Sequence, residues 1–267
     1  MATDSPPSAK FARTSPNSMA GAASIVHASR RLIVVDVARG IAIAGVVLFH
    51  LVWDLEFTGF VSGIARHSAW LIFGHCLAGS FMVLVGVSLV LAHRESVRWP
   101  AVARRLAVIV VSAMAITVAT LLAFPDAFIY FGILHAIAAA TLIGVAFLRL
   151  PATASLAVGV AIVALPFFLE STAFDSRWLA WIGFSTYPPP SNDYVPIFPW
   201  AGLTLIGIAA TKWALVRGID RRLPTYPPQG PTAVALTWLG RHSLAIYLLH
   251  QPLLLAVIVP LAQVLQD

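Results

Sequence analysis

Apolar runs of near-membrane length recur along most of this sequence, and they limit the folds that it can adopt. A transmembrane α-helix needs about 20 predominantly apolar residues to cross the hydrocarbon core of a bilayer. We place seven such runs, at residues 33–53, 69–91, 105–124, 128–148, 152–170, 194–214 and 237–262. The pattern predicts an all-α, polytopic transmembrane helix bundle with about seven spans, embedded in a lipid bilayer.

The composition agrees with a membrane protein. Of the 267 residues, 59% are hydrophobic and only 10% are charged, whereas a soluble domain carries about 25% charged residues. The sole cysteine, Cys76, lies inside an apolar run, which excludes an internal disulfide and a thiolate metal site. No Cys-x-x-Cys-His sequence is present. We therefore expect neither a metal nor a haem.

The basic residues predict the orientation of the bundle. Cytoplasmic loops of membrane proteins carry an excess of Lys and Arg, and a cytoplasmic N-terminus places most of the cations on that side. These are Arg30, Arg31, Arg94, Arg98, Arg104, Arg105, Arg149, Lys212, Arg217, Arg221, Arg222 and Arg241. The net charge of +6 therefore indicates topology rather than a nucleic-acid partner.

The first 29 residues differ from the rest of the chain. They are rich in Ser, Pro and Ala and have no apolar periodicity. Segments of this kind cannot bury enough apolar surface to fold. We predict a disordered cytoplasmic tail at residues 1–29 and a transmembrane domain at residues 30–267.

Titratable residues interrupt the outer half of the predicted bundle. His50 and Asp54 are four residues apart in span one and share a helix face. His67, His75, His135 and Asp193 also fall in the outer half. Such residues are expensive in hydrocarbon and usually mark function, and a histidine beside a carboxylate is a common general base. The cluster as a whole favours a functional site over structural hydrogen bonds between helices.

A second polar group lies at the cytoplasmic end. Arg39 follows Asp36 by three residues, and Arg104 and Arg105 open span three. These cations could bind the phosphates of a cytoplasmic ligand, or they could only anchor the chain and contact anionic lipid. Transmembrane group transfer and transport both fit polar groups at the two ends of one bundle.

Several stretches together resemble a known family. They are RLIVVDVARGIAIAGVVLFHLVWD, RHSAW followed by FMVLVGVSLVLA, YFGILHAIA, DYVPIFPWAGLTLIG and WLGRHSLAIYLLHQPLL. Their order and spacing, over about residues 31 to 255, are similar to those of the heparan-α-glucosaminide N-acetyltransferase catalytic region. Members of that family take acetyl from cytoplasmic acetyl-CoA and deliver it to an amine or hydroxyl on the far side of the membrane.

The resemblance implies roles for particular residues. His67, in RHSAW, matches the catalytic histidine of the lysosomal enzyme, whereas His50 occupies the position of its active-site asparagine. Either histidine could deprotonate the acceptor, with Asp54 orienting the base, and a covalent acetyl-histidine intermediate stays open. The remaining assignments are acetyl-CoA binding by Arg39, Asp36, Arg104, Arg105 and His135, and substrate binding by Asp193, Tyr194, Trp200 and His250.

These inferences converge on one expected function. The resemblance implies a membrane-embedded N- or O-acetyltransferase of the bacterial inner membrane, with acetyl-CoA as co-substrate and a sugar or glycan as acceptor. It also suggests a homodimer. The alternatives are a small multi-pass transporter or flippase-like protein, and a scaffold whose histidines are only structural.

Overall fold

The computed structural model describes residues 32–224, 226 and 228–266, and within these ranges it is all-helical. This confirms the predicted all-α fold. The tail predicted at residues 1–29 lies outside the described residues. The α-helices are α1 Ile33–Phe57, α2 Ser68–Ala92, α3 Trp99–Ala123, α4 Ile133–Phe147, α5 Ala152–Ala164, α6 Arg177–Ala180, α7 Ile197–Val216, α8 Ile219–Arg222, α9 Pro231–Arg241 and α10 Ser243–Gln266.

Five of these helices are long and apolar enough to cross a membrane, namely α1, α2, α3, α7 and α10. Two shorter apolar helices, α4 and α5, occupy the other two predicted runs. Each predicted run therefore contains a helix, and the chain has the helices of a membrane protein. The count of seven spans and the cytoplasmic N-terminus stay predictions.

Some helix boundaries differ from the predicted runs. Helix α4 begins at Ile133 rather than 128, because Phe131 instead forms a bridge with Tyr194. Helix α5 ends at Ala164 and continues only as a short 3-10 turn that contains a proline. The last run is split at His242, where the backbone leaves helical geometry between α9 and α10.

Helix α7 forms the centre of the bundle. It packs against α2, α4 and α5. Its residues Leu205 and Ile208 are fully buried beside Leu89 of α2 and Val145 of α4. In the same layer, the buried Thr204 hydroxyl donates a 2.8 Å hydrogen bond to the carbonyl oxygen of Met82. This contact gives the buried hydroxyl group a hydrogen-bond partner without a water molecule.

Helix α1 packs against α2, α9 and α10, and its contact with α9 is unusually close. A Cβ atom built on Gly40 would overlap the carbonyl group of Leu236, and one built on Gly240 would overlap that of Asp36. Glycine at both positions therefore lets the two backbones touch. Small residues serve this purpose widely where membrane helices cross.

Polar residues gather at the two ends of the bundle. We call the end formed by the start of α1 and the ends of α2 and α7 the basic end, and the opposite one the acidic end. The basic end holds Arg39, Arg94, Arg105, Lys212 and Arg221. The acidic end holds Asp54, Glu56, Asp126, Asp175 and Asp193.

The long connection between α5 and α7 is held firmly at the acidic end. Arg177 donates to the carbonyl oxygen of Asp126 at 2.9 Å and lies 4.8 Å from the ring centroid of Phe128. The Tyr130 hydroxyl donates to the carbonyl oxygen of Pro189 at 3.3 Å, and loss of hydration raises the pKa of Tyr130 to about 12. This connection is therefore bonded to the α3–α4 connection and supports the start of α4.

Candidate functional site

Four polar side chains meet between α1 and α10 at the acidic end, and we call them the His50 cluster: His50, Asp54, His250 and Gln251. The Gln251 amide donates to Asp54 Oδ1 at 2.7 Å. The two imidazole rings are 4.7 Å apart and nearly perpendicular. Asp54 is 1% exposed and His250 is 7% exposed. The predicted pairing of His50 with Asp54 on one helix face thus acquires two further members from α10.

Both histidines of the His50 cluster donate from Nδ1 and leave Nε2 as the acceptor. His50 Nδ1 lies 3.0 Å from the carbonyl oxygen of Val46, and His250 Nδ1 lies 2.8 Å from that of Tyr247. Because a carbonyl oxygen can only accept, each Nδ1 carries the hydrogen of the neutral ring. Each Nε2 is then a lone pair that can take up a proton.

Three buried atoms of the His50 cluster have no hydrogen-bond partner among the described residues. They are Asp54 Oδ2, His250 Nε2 and Gln251 Oε1. With the tautomer above and an ionised Asp54 carboxylate, all three are acceptors. Buried polar groups are nearly always paired, so the cluster lacks a donor. A ligand with N–H or O–H groups would supply what the protein does not.

Asp193 lies beside this cluster and is bonded to the protein. Its Oδ2 accepts from the backbone N–H of Ile133 at 2.8 Å and from the Tyr247 hydroxyl at 3.1 Å. The Tyr247 ring is 5.6 Å from the ring of His250. Loss of hydration raises the pKa of the Asp193 carboxyl above its usual 3.8. In this structure Asp193 ties the start of α4 to α10.

The other predicted substrate-binding residues, Tyr194 and Trp200, make separate contacts. The Tyr194 hydroxyl donates to the carbonyl oxygen of Ala180 at 2.7 Å, which fixes its ring. Desolvation raises the pKa of Tyr194, so its phenol stays protonated. Trp200 stacks on His75 of α2, with ring centroids 5.8 Å apart and planes 4° from parallel.

The predicted catalytic histidine His67 lies in a different place. It is exposed and caps the start of α2, where its Nδ1 accepts from the backbone N–H of Ala69 at 3.3 Å. It lines an open cavity of about 500 Å³ together with Leu48 and Trp70. No hydrogen bond or ring contact of the described residues joins His67 to the His50 cluster.

Phe49 separates the His67 cavity from the His50 cluster. Its ring stacks on Trp70 at 5.5 Å and meets His50 edge-on at 5.6 Å. Leu48 and His50 point about 200° apart around the axis of α1, since each residue turns the helix by about 100°. The His67 cavity and the His50 cluster therefore lie on different faces of α1.

Predicted residue His135 has both ring nitrogens engaged. Its Nδ1 accepts from the backbone N–H of Gly132 at 3.2 Å, and its Nε2 lies 3.3 Å from the Thr117 hydroxyl. The Thr117 hydroxyl donates in turn to the carbonyl oxygen of Ile129. Here His135 connects the start of α4 to α3.

A second polar cluster forms around Arg39 at the basic end. Arg39 bonds Asp36 Oδ1 at 2.9 Å and the Ser88 hydroxyl at 2.8 Å, and the Tyr226 hydroxyl donates to the other oxygen of Asp36. Asp36 is 3% exposed. The expected local ion pair is therefore present and is extended by partners from two other segments.

The two arginines of α3 that were predicted to bind acetyl-CoA are more exposed than Arg39. Arg104 and Arg105 are exposed. The positive charges of Arg105 and Arg39 lie close enough to repel each other. An anion between them would relieve that repulsion.

Sequence reasoning missed Tyr247, Ser88 and Tyr226. Tyr247 precedes His250 by three residues, so it could have been found among the neighbours of His250 on its helix. Ser88 and Tyr226 reach the Arg39 cluster from distant parts of the chain. A single sequence carries no signal for that pairing.

Comparison with known proteins finds a matching family. A family model described as heparan-alpha-glucosaminide N-acetyltransferase, catalytic, matches residues 31–252. The match covers most of the chain and contains the His50 cluster, the His67 cavity and the Arg39 cluster. No curated protein and no solved structure shows a significant match.

Proposed function

Because the chain belongs to the heparan-alpha-glucosaminide N-acetyltransferase catalytic family, we propose that it moves an acetyl group from acetyl-CoA to an amine or hydroxyl on the opposite side of a membrane. The acceptor in this proposal is a sugar or glycan, and the location is the bacterial inner membrane. The observation that carries the proposal is the His50 cluster, a buried set of unpartnered acceptors inside an apolar helix bundle.

The chemistry of the acceptor matches these unpartnered atoms. An amine or hydroxyl brings the N–H or O–H groups that Asp54 Oδ2 and His250 Nε2 lack. Hydrogen bonds to a carboxylate are stronger than neutral ones, so Asp54 would orient the acceptor. The Gln251 amide holds Asp54 in place. The site thus favours a donor-rich acceptor over an apolar one.

The proposed transfer needs one base. His50 Nε2 takes the proton while the acceptor nitrogen or oxygen attacks the thioester carbonyl carbon. A new N–C or O–C bond forms, the C–S bond breaks, and the CoA thiolate leaves and takes up a proton. Imidazole is suited to this step, because its pKa is near neutrality. His250 binds the acceptor beside His50.

His67 offers a second version of the same proposal. The acceptor would then lie in the His67 cavity, where Trp70 forms a wall. In a third version, a histidine Nε2 attacks the thioester and carries acetyl to the acceptor. Because the His67 cavity and the His50 cluster lie on different faces of α1, one bound acceptor can occupy only one of them.

Arg39 would bind the acyl donor at the other end of α1. With Arg104 and Arg105 it supplies cations for the phosphates of CoA, and Asp36 and Ser88 fix its guanidinium. Arg39 and His50 are eleven residues apart, or about 16 Å along the helix axis. A single helix would then line the route of the acetyl group from donor to acceptor, with Trp200 and His135 along its wall.

The test measures CoA release from acetyl-CoA by the purified protein in detergent, with and without glucosamine or other amino sugars. His50→Ala, His250→Ala and His67→Ala are compared with His242→Ala, which removes an exposed histidine at the basic end. We expect a loss of at least about 100-fold for the base, the usual size of a general-base effect.

The outcomes separate the versions of the proposal. Loss in His50→Ala alone or with His250→Ala places the acceptor at the His50 cluster, and loss confined to His67→Ala places it in the His67 cavity. After a brief reaction with labelled acetyl-CoA, label that stays on the protein at neutral pH and is released by acid or hydroxylamine supports the covalent version, because an acetyl-imidazole is readily hydrolysed. No CoA release by the wild type with any acceptor would favour the transporter, because transport consumes no thioester.

A further inference from the structure

The His67 cavity opens onto the apolar outer surface of the bundle. Leu48, which lines it, is 49% exposed and continues a stripe on α1 formed by Val34 at 43% and Ile41 at 58% exposure. Residues seven apart share a face of an α-helix, since two turns take about seven residues. Exposed apolar surface of this kind on membrane-spanning helices faces lipid. A ligand can therefore enter the cavity from the bilayer.

The cavity extends from a polar end near the surface to an apolar end further down the helices. Ser62 and His67 lie at the polar end, in the connection between α1 and α2. Leu48 lies at the other end, about 14 Å along the helix axis from Phe57, where α1 ends. A ligand that fills the cavity therefore carries a polar group at one end and an apolar chain at the other.

Glu56 fixes the polar end of the cavity. Its carboxylate accepts from the backbone N–H groups of Gly63 at 3.2 Å, Ile64 at 2.9 Å and Ala65 at 2.7 Å. Gly63 and Ile64 line the cavity. Because hydrogen bonds to a carboxylate are stronger than neutral ones, this wall is ordered before a ligand binds. The ligand then does not bear the cost of ordering it.

Aromatic rings close the cavity toward the interior of the bundle. The Trp70 ring, which lines the cavity, stacks on Phe49, and its centroid lies 5.3 Å from that of Phe73. A Cβ atom built on Gly74 of α2 would meet the Phe49 ring. Phe49 therefore fills the space between α1 and α2 behind the cavity, and a ligand has access from the bilayer or from the acidic end.

The polar end of the cavity offers hydrogen-bond donors, in contrast to the His50 cluster. The backbone N–H of Ala69 donates to His67 Nδ1 at 3.3 Å, so the hydrogen of the neutral ring is on Nε2. The Ser62 hydroxyl is a second donor at the same end. None of the described residues that line the cavity is an acid, a lysine or an arginine. The polar group that fits here is therefore an uncharged oxygen acceptor.

We propose that the His67 cavity binds one acyl chain of a phospholipid from the leaflet at the acidic end. The ester carbonyl oxygen accepts from His67 Nε2, and the chain lies along Leu48 and Phe73. An acyl ester joins an uncharged oxygen acceptor to an apolar chain, which is the combination that the cavity requires. The site goes beyond acetyl transfer, because lipid binding involves no acetyl-CoA and the ligand chemistry is opposite to that of the His50 cluster.

The experiment measures lipid binding to the full chain in detergent by native mass spectrometry. Phosphatidylethanolamine with ester-linked chains is compared with its ether-linked analogue, which has the same head group and chain length but no carbonyl oxygen. We expect the ester lipid to bind about fivefold more tightly, which is the effect of about one hydrogen bond. Equal binding of the two lipids would overturn the proposal.

His67→Asn tests the donor. Asparagine is a favoured N-cap residue, so this variant keeps a cap on α2 while it removes the ring N–H, and the preference for the ester lipid should disappear. His75→Asn is the matched control, because His75 is another exposed histidine of α2 and does not line the cavity. It should keep the preference. An ester preference that survives in His67→Asn would contradict the proposed contact.

Leu48→Trp tests the position of the chain. The larger side chain fills the cavity and should weaken the binding of both lipids about tenfold, as expected when about two methylene groups lose their burial. Ile41→Trp makes the same change on the same face of α1, away from the cavity lining. Both positions are exposed, so neither change disturbs the core. Equal losses in the two variants would place the lipid elsewhere and overturn the proposal.

A last arm tests a soluble occupant of the same cavity. Glucosamine is added to the wild type and to His67→Asn, and thermal unfolding is followed without acetyl-CoA. We expect no shift that depends on His67. Stabilisation by glucosamine that disappears in His67→Asn would overturn the lipid assignment and make the cavity an acceptor site. That result leaves the acetyl-transfer proposal intact, because transfer is tested separately by CoA release.

Discussion

At the scale of single residues, the bond between Gln251 and Asp54 is the contact that makes a buried carboxylate tolerable. Asp54 is 1% exposed and its other oxygen has no partner among the described residues. A buried charge that loses its partner is costly, while loss of both groups is much less so. Gln251 is therefore expected to affect stability through Asp54.

A double-mutant cycle tests that dependence. Gln251→Ala alone should destabilise the protein by about 1–3 kcal/mol, as expected for an unsatisfied buried group, whereas Gln251→Ala added to Asp54→Ala should cost much less. Unfolding in detergent gives the four free energies. The same cycle with Gln263→Ala in place of Gln251→Ala should be additive, and additivity in both cycles would contradict the expected coupling.

Asp193 gives a pH-dependent prediction at the same scale. Its folded pKa is raised by loss of hydration, so the folded chain holds this proton more tightly than the unfolded chain does. That contribution to stability is complete below the unfolded pKa and declines as the pH rises through the folded pKa. Asp193→Asn should remove this decline, which unfolding temperatures measured from about pH 4 upward would show. Parallel curves for the two proteins would contradict the assignment.

At the scale of helices, the crossing of α1 and α9 depends on glycine at Gly40 and Gly240. This crossing holds the start of α1, and with it Asp36 and Arg39, against the chain that follows α8. The apolar runs indicated that α1 and a last span exist. They could not show that the last run breaks at His242, because the break depends on the packing of α9 against α1, which is far away in the sequence.

Alanine at either crossing glycine should separate the helices. Gly40→Ala and Gly240→Ala each place a Cβ atom on a backbone carbonyl group, which cannot move aside alone. We expect a loss of about 1–3 kcal/mol in stability, the usual cost of overpacking, measured by thermal unfolding. Gly45→Ala is the control, since its Cβ would overlap only the flexible end of Leu77. A similar loss in all three variants would argue against the crossing as the cause.

At the scale of the whole molecule, the sequence predicted the helical class and the separation of acidic and basic ends, because both follow from properties of individual residues. It also placed His50 and Asp54 on one face, which helix geometry alone determines. The meeting of α1 with α10, and the division of His50 from His67 by Phe49, depend on packing between helices. No local pattern encodes that packing.

Accessibility of engineered cysteines tests the predicted orientation of the molecule. In a Cys76→Ser background, Asp126→Cys at the acidic end should react with a membrane-impermeant maleimide in intact cells. Arg217→Cys at the basic end should react only after permeabilisation, since the cations are expected in the cytoplasm. The reverse labelling pattern would place the N-terminus outside.

The unpartnered acceptors of the His50 cluster have a consequence for how an acceptor can be identified. A site that carries unsatisfied atoms when empty becomes more stable when a donor fills it, and a ligand that binds only the folded state raises the unfolding temperature by mass action. Amines, polyols and amino sugars can therefore be ranked by thermal shift with no turnover assay. Compounds whose shift disappears in Asp54→Asn would be the first to try as acetyl acceptors.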